Sequence, residues 1–186
     1  MITFDDICLA GRNIRVHGNG FIQIDMGPKT RVHVFGHPAI PRQRHATMIH
    51  DHRFGFHSLV VAGCLINVDW RFHNTGRPHT HAVCIVRENQ GEDTHLEMSD
   101  RTGWIEPVCL RAVSARESYT VAAGRFHESF ANEPTVTFMT KVDCVIDHQP
   151  RVLCRIDGPG ADNSFNRYEV LSEAQMWDIV RESFGA

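Results

Sequence analysis

Apolar and polar residues alternate with period two along most of the chain, and this pattern predicts short strands separated by turn residues. Phe21-Ile22-Gln23-Ile24-Asp25-Met26 alternates, Gly27-Pro28-Lys29 turns, and Arg31-Val32-His33-Val34-Phe35 alternates again, which predicts a β-hairpin. Further strands are expected over 45–52, 57–70, 81–88, 94–98, 105–113, 119–122, 135–142 and 152–156. Turn signals recurring every 8 to 12 residues or so predict an all-β sandwich or barrel, not alternating β-α units. The segment 157–164, rich in Gly, Asp and Asn, is expected to be a loop. Beyond it the period changes. Ser172 is placed to cap a helix running through Glu173 to Phe184, with Leu171, Met176, Ile179, Val180 and Phe184 near helical spacing. That helix is expected to pack outside the sheet, with Met176 and Trp177 as candidates for covering a partner subunit in a homodimer.

At 186 residues the chain fits one domain, 1–186, with a core of useful size. Its 42% apolar and 22% charged residues exclude a disordered chain, and a net charge of −3 gives no electrostatic reason to bind nucleic acid. The acidic start, Met1-Ile2-Thr3-Phe4-Asp5-Asp6, has no long apolar run behind it, so neither a secretory leader nor a membrane span is expected and the predicted location is cytoplasmic. Six cysteines (Cys8, Cys64, Cys84, Cys109, Cys144, Cys154) form no Cys-x-x-Cys pair and are expected to be reduced core residues.

Candidate chemistry sits in the run Ile49-His50-Asp51-His52-Arg53-Phe54-Gly55-Phe56-His57, closed by Gly63. Residues two apart on a strand share a face, so His50 and His52 can act as a pair while Asp51 faces away. His57 is a further candidate, as a ligand or as a donor that orients one. His127 lies far downstream, in the patterned segment 119–127. Neutral imidazoles suit Fe(II), Zn, Ni or Cu, and an oxygen-seeking ion such as Mg is poorly served by them. His79-Thr80-His81 repeats the His-x-His form without the same context, and His33 and His37 are expected at exposed strand ends.

A histidine pair, a third position five residues on, a glycine beyond and a later Gly-x-x-His segment together resemble the two motifs of the cupin superfamily. The first is His50-Asp51-His52 through His57 to Gly63. The second is Tyr119 through Gly124-Arg125-Phe126-His127 to Asn132. The resemblance spans about 46–142, and within the superfamily the run His127-Glu128-Ser129-Phe130-Ala131-Asn132-Glu133-Pro134 is most similar to the cysteine dioxygenase-like, or thiol dioxygenase, group. It implies an all-β, cupin-type double-stranded β-helix, or jelly roll, with the C-terminal α-helix outside it. It also implies one divalent metal, Fe(II) foremost with Zn, Ni, Mn or Cu as alternatives, held by His50, His52 and His127.

The chain departs from that group where His57 replaces its cross-linking cysteine and where the hairpin 21–26 presents no arginine for a substrate carboxylate, so cysteine is not expected as substrate. Arg53, Arg44 and Arg125 flank the proposed ligands and are candidates for gripping an anionic substrate, and Tyr119 is a candidate acid or hydrogen-bond donor. Glu128 follows His127 directly and faces the other way on a strand. Phe54, Phe56, Phe126, Phe130 and Phe138 are expected to fill the barrel or wall its pocket. The resulting expectation is a metal-dependent cupin, an Fe(II) dioxygenase acting on a small molecule. A metal-dependent isomerase or hydrolase of a small polar metabolite, or a non-catalytic ligand-binding cupin, is the alternative.

Overall fold

The computed structural model describes residues 2–41, 48–88, 93–145, 147, 149–158, 165–166 and 171–185. Helix α1 (Phe4–Ala10) opens the chain, where no helix was expected. Its signal is local: the Thr3 hydroxyl accepts from Asp6 N–H while the Asp6 carboxylate accepts from Thr3 N–H, a reciprocal cap that makes a seven-residue helix viable. Gly11 ends it by donating to the Ile7 carbonyl at 2.7 Å.

Strands β1 (Arg12–His17), β2 (Phe21–Asp25) and β3 (Thr30–Phe35) form a meander, and β2 and β3 pair as the expected hairpin. The chain then runs through β4 (Phe54–Ala62), β5 (Cys64–His73), β6 (His81–Glu88), β7 (Asp93–Ser114), β8 (Ser118–Val121), β9 (Phe126–Phe130), β10 (Thr135–Val145), β11 (Arg151–Arg155) and the short β12 (Phe165–Asn166) to helix α2 (Glu173–Ser183). One sheet has the order β1-β2-β3-β10-β4-β8 and the other β11-β6-β7-β5-β9, with β12 on β7. The chain alternates between them: β4, β8 and β10 lie in the first sheet and their successors β5, β9 and β11 in the second. That winding is the all-β, two-sheet jelly roll expected above, with a C-terminal helix outside it.

Three boundaries differ from expectation. The stretch 57–70 is two strands, because Gly63 turns the chain at φ 79° from β4 into β5. The stretches 94–98 and 105–113 are one 22-residue strand, β7, long enough to pair with β5, β6 and β12. Of 45–52, residues 45–47 lie outside the described residues, and His50 pairs only through isolated bridges to His127 and Val152.

Period-two alternation separates the two faces of the first sheet. Ile14, Val16, Ile22, Ile24, Val32, Val34 and Val136 point outward, where they pack with Ile7 of α1 and with Met176, Ile179 and Val180 of α2. Met176 therefore belongs to the protein's own core, at 3% exposure, and covers no partner. The inward residues of the same strands include Arg15, Gln23, Arg31, His33 and Lys141, which line a cavity. Deeper between the sheets, Phe21, Phe35, Phe56, Val60, Leu65, Val113, Tyr119 and Met139 form a second apolar cluster. Cys84 and Cys154 are buried as expected; Cys8 and Cys109 are exposed, and these four and Cys64 are free thiols. Among the described residues no helix is long and apolar enough to cross a membrane.

Candidate metal centre

The segment Ile49–His52 is threaded between β9 and β11. His50 and His127 exchange backbone hydrogen bonds at 2.9 Å, Asp51 N–H donates to the Arg151 carbonyl at 2.9 Å, and Gly124 N–H donates to the His52 carbonyl at 2.9 Å. Side-chain alternation then does what the sequence pattern predicts. Asp51, 1% exposed, turns to Arg151, accepting from its backbone N–H and its Nε at 2.7 Å each and from its Nη2. His50 and His52 turn the other way, into the cavity and toward His127.

The three rings converge. Centroids lie 4.7 Å apart for His50–His52, 4.7 Å for His50–His127 and 5.4 Å for His52–His127. One nitrogen from each falls within 4.8 Å of the others, which makes them a group able to hold a metal ion. Burial lowers the pKa of His50 and drives those of His52 and His127 well down, so all three are neutral with lone pairs to offer near pH 7.

Hydrogen bonding settles which nitrogen faces the centre on two of them. His50 Nδ1 lies 2.7 Å from the Met48 carbonyl, which can only accept, and 3.2 Å from the Asn19 side-chain nitrogen; the shorter contact puts the proton on Nδ1 and the lone pair on Nε2. For His127 the reasoning runs through the fully buried Asn67 on β5. Arg111 Nη2 donates to Asp69 Oδ2 at 2.9 Å, and Asn67 Nδ2 donates to Asp69 Oδ1 at 3.1 Å. A carboxylate fixes the amide nitrogen on its own side, so Asn67 Oδ1 faces His127 Nδ1 at 3.0 Å and accepts from it. Ser129 Oγ donates to the same oxygen at 3.0 Å. His127 Nε2 is left buried with no hydrogen-bond partner, the state expected of a lone pair meant for an ion. The histidine set thus fits a divalent first-row metal.

The cavity above the rings holds about 360 Å³. Phe54 and Phe56 wall it: His52 stacks on Phe54 at 5.2 Å and meets Phe56 edge-on at 5.4 Å. Tyr119 lines it at 6% exposure, its phenol pKa raised by burial against the pull of the nearby Ser129 and Ser58 hydroxyls, so it is a neutral donor. Arg53 also lines it.

Other expected residues lie elsewhere. His57 is exposed on β4, with Nδ1 3.4 Å from Thr120 Oγ1, and is not part of the histidine group, because its strand neighbours Phe56 and Ser58 take the buried face. Arg125 is exposed and outside the cavity lining, and Arg44 falls outside the described residues. Phe126 packs with Ile49, Val83 and Leu153, and Phe138 lies against the outer core. Glu128 points away, accepting from Trp70 Nε1 at 3.1 Å.

Several cavity residues were missed from the sequence. His33 is no exposed strand end: its ring lines the cavity, burial brings its pKa to about 3, and its Nε2 has no hydrogen-bond partner. His17 stacks on Phe21 at 4.3 Å within the same lining. Arg15 overturns the argument that the hairpin leaves a carboxylate unmet. It pairs in register with Gln23 from the neighbouring strand β1 and reaches the same cavity, so the absence of an arginine between 21 and 26 does not bear on the substrate. The signals were present as polar residues at inward positions of apolar strands: Arg15 and His17 on β1, Asn67 and Asp69 on β5.

Comparison with known proteins gives distant likenesses only. No protein-family model and no curated protein matches the chain. Among solved structures it is similar to hydroquinone 1,2-dioxygenase from Sphingomonas sp. TTNP3 with 4-hydroxybenzoate bound, at 7% identity and a TM-score of 0.35, over 64% of this chain and 63% of that one. A hydroquinone 1,2-dioxygenase in complex with Cd2+ and 4-hydroxybenzonitrile is similar at 14% identity and a TM-score of 0.34, over 64% of this chain and 61% of that one. The matched region is less than two thirds of either enzyme's chain.

Proposed function

We propose that the chain is a single cupin-like domain that binds one divalent metal, Fe(II) foremost, through His50, His52 and His127, and that it oxidises a small molecule with dioxygen. The observation that carries this reading is the convergence of three neutral imidazoles, His127 buried and His50 and His52 half-buried, with one nitrogen of each within 4.8 Å of the others and with His127 Nε2 unpartnered. A redox-active ion held by three neutral nitrogens would supply the one-electron chemistry that dioxygen requires, without an organic cofactor. The chain's own residues do the rest. Asn67 and the Met48 carbonyl hold two of the ligand tautomers, Phe54 and Phe56 keep one wall dry, and Tyr119 presents a hydroxyl donor.

Isomerisation by a Lewis-acid metal is the weaker reading, because it needs a base from the chain, whereas in a hydrolase a metal-bound water could serve. The cavity-lining carboxylate, Asp51, is held by Arg151; Asp25, just behind the lining, is held by Arg15; and Glu128 faces Trp70 outside. His33, with a pKa of about 3, is a poor base.

The test is oxygen uptake by protein loaded anaerobically with Fe(II), across a panel of small thiols and hydroquinones, set against turnover with Zn and without oxygen. The motif likeness to thiol dioxygenases puts thiols first in the panel. Uptake that needs both Fe(II) and His52 supports the reading. Oxygen-independent turnover under Zn would move the protein to the isomerase or hydrolase class.

A further inference from the structure

The wall opposite the histidines is rich in cations, two of which, Arg53 and Lys141, have no carboxylate partner among the described residues. Arg15, Arg31, Arg53, Arg151 and Lys141 line the cavity, against one lining carboxylate, Asp51, which Arg151 holds. Asp25 stands behind Arg15 and Arg31, 2.8 Å from the first and 3.3 Å from the second. Among the described residues no carboxylate lies within ion-pair distance of Arg53 or Lys141; Lys141 Nζ sits over the Phe54 ring, 4.8 Å from its centroid. Burial, and then the repulsion of Arg31, Arg53 and Arg15 against the attraction of Asp25, pulls the Lys141 pKa below its usual value, in a chain whose net charge is −3.

Strand pairing builds this wall. Arg15 on β1 is in register with Gln23 on β2, Asp25 with Arg31 on β3, and β3 is followed across the sheet by β10, which carries Lys141. These residues face inward while their neighbours Val16, Ile24 and Val32 face the helices. Such an arrangement holds the guanidiniums and the ammonium in place before any ligand arrives, which lowers the ordering cost of binding. The three histidines are neutral, so the metal they would hold adds positive charge to the same space.

We propose that the cavity receives a small organic dianion, a phosphate monoester or a dicarboxylate, with Lys141 and Arg53 as its contacts and Arg31 and Arg15 behind them. Guanidinium and ammonium groups are the donors suited to those oxyanions, and two negative charges answer the excess better than one. As a statement about substrate, this rests on the reading of the cavity as the site of reaction; as a statement about binding, it needs no metal.

A second, more open cavity of about 380 Å³ shares Arg31 and Lys141 and adds Arg12, Asn13 and Asp25. Arg53 belongs to the histidine cavity alone and Arg12 to the second alone, which gives the test its control. Metal-free protein is titrated with inorganic phosphate, malonate and acetate at constant ionic strength, followed by NMR of the arginine Nε and histidine ring signals.

Phosphate and malonate are expected to shift the signals of Arg53 and the cavity histidines and to bind at least about tenfold more tightly than acetate. Lys141→Met and Arg53→Met should each weaken binding about tenfold, Lys141→Arg should keep it, and Arg12→Met should leave it unchanged. Equal affinity for acetate and malonate, or loss in Arg12→Met with Arg53→Met unaffected, would overturn the proposal. Oxygen uptake by Fe(II)-loaded protein on a neutral substrate, with no phosphate or malonate binding, would sink this inference and leave the oxidation reading standing.

Discussion

At the residue scale, a ligand histidine is only as good as the group behind it. Asn67→Ala removes the acceptor that keeps the proton on His127 Nδ1, so metal affinity is expected to fall by roughly 10 to 100-fold. Asn67→Asp, which keeps an acceptor, should lose less, and competitive titration with a chromophoric chelator measures both. Equal affinity in Asn67→Ala and the native protein would show that the bond holds nothing in place. His57→Ala should leave metal stoichiometry unchanged, since His57 is exposed and outside the histidine group.

His33 makes a pH-dependent contribution whose sign follows from its depressed pKa. Folded, it resists protonation down to about 3; unfolded, it takes a proton near 6.5, so its stabilisation is complete above 6.5 and is lost as pH falls toward 3. Urea unfolding of metal-free protein should show stability declining between pH 6.5 and 5, with His33 supplying up to about 1.4 kcal/mol per pH unit. His50, His52 and His127 shift in the same direction and add to it. Asp25, a carboxylate with a lowered pKa, weakens the fold only in more acid solution and does not overlap this window. A profile flat from pH 7 to 5 would contradict the burial of these rings.

The histidine cluster was legible in the sequence through the resemblance of His50-x-His52 and Gly124-x-x-His127 to the two cupin motifs, although His57 stood beside them as a further candidate. Arg15, His33 and Asn67 were not, because an inward polar residue on an apolar strand looks the same as an outward one until the sheet's packing faces are known.

At the element scale, Gly63 shows what a turn requires. Its φ of 79° suits glycine, and a Cβ there would meet the Thr135 hydroxyl and lie 2.6 Å from the Pro134 carbonyl, so Gly63→Ala should cost roughly 1 to 3 kcal/mol in chemical denaturation. A loss below about 0.5 kcal/mol would mean that the β4–β5 turn relaxes freely. The expected single strand over 57–70 missed this turn because apolar residues continue through it, Val60-Val61-Ala62 on one side and Cys64-Leu65-Ile66 on the other. The β2–β3 hairpin and α2 were legible for the opposite reason, each being bounded by residues of marked preference, Gly27-Pro28 in one case and the Ser172 cap in the other. Helix α1 escaped notice because its apolar face is short, Phe4 and Ile7, although Thr3-x-x-Asp6 gives its cap.

At the scale of the whole molecule, alternation of strands between two sheets brings residues distant in sequence to one point: His50 and His52 from the segment before β4, His127 from β9, Asn67 from β5. The all-β class was readable from period and turn spacing. The strand order was not, since it depends on contacts such as Asp51 with Arg151, 100 residues apart.

Because the three histidines are brought together only by the fold, a metal that binds them would stabilise the folded state by mass action. At free metal of about 100 times Kd the gain should be about 2.7 kcal/mol, and it should vanish in His52→Ala. The central claim is that this triad holds one metal, and the most direct measurement is elemental analysis of protein reconstituted with Fe(II) under nitrogen and desalted. The expected result is about one iron per chain in the native protein and little in His50→Ala, His52→Ala or His127→Ala variants that keep the native circular dichroism spectrum. Iron retained at the native level in the folded triple variant would contradict the assignment.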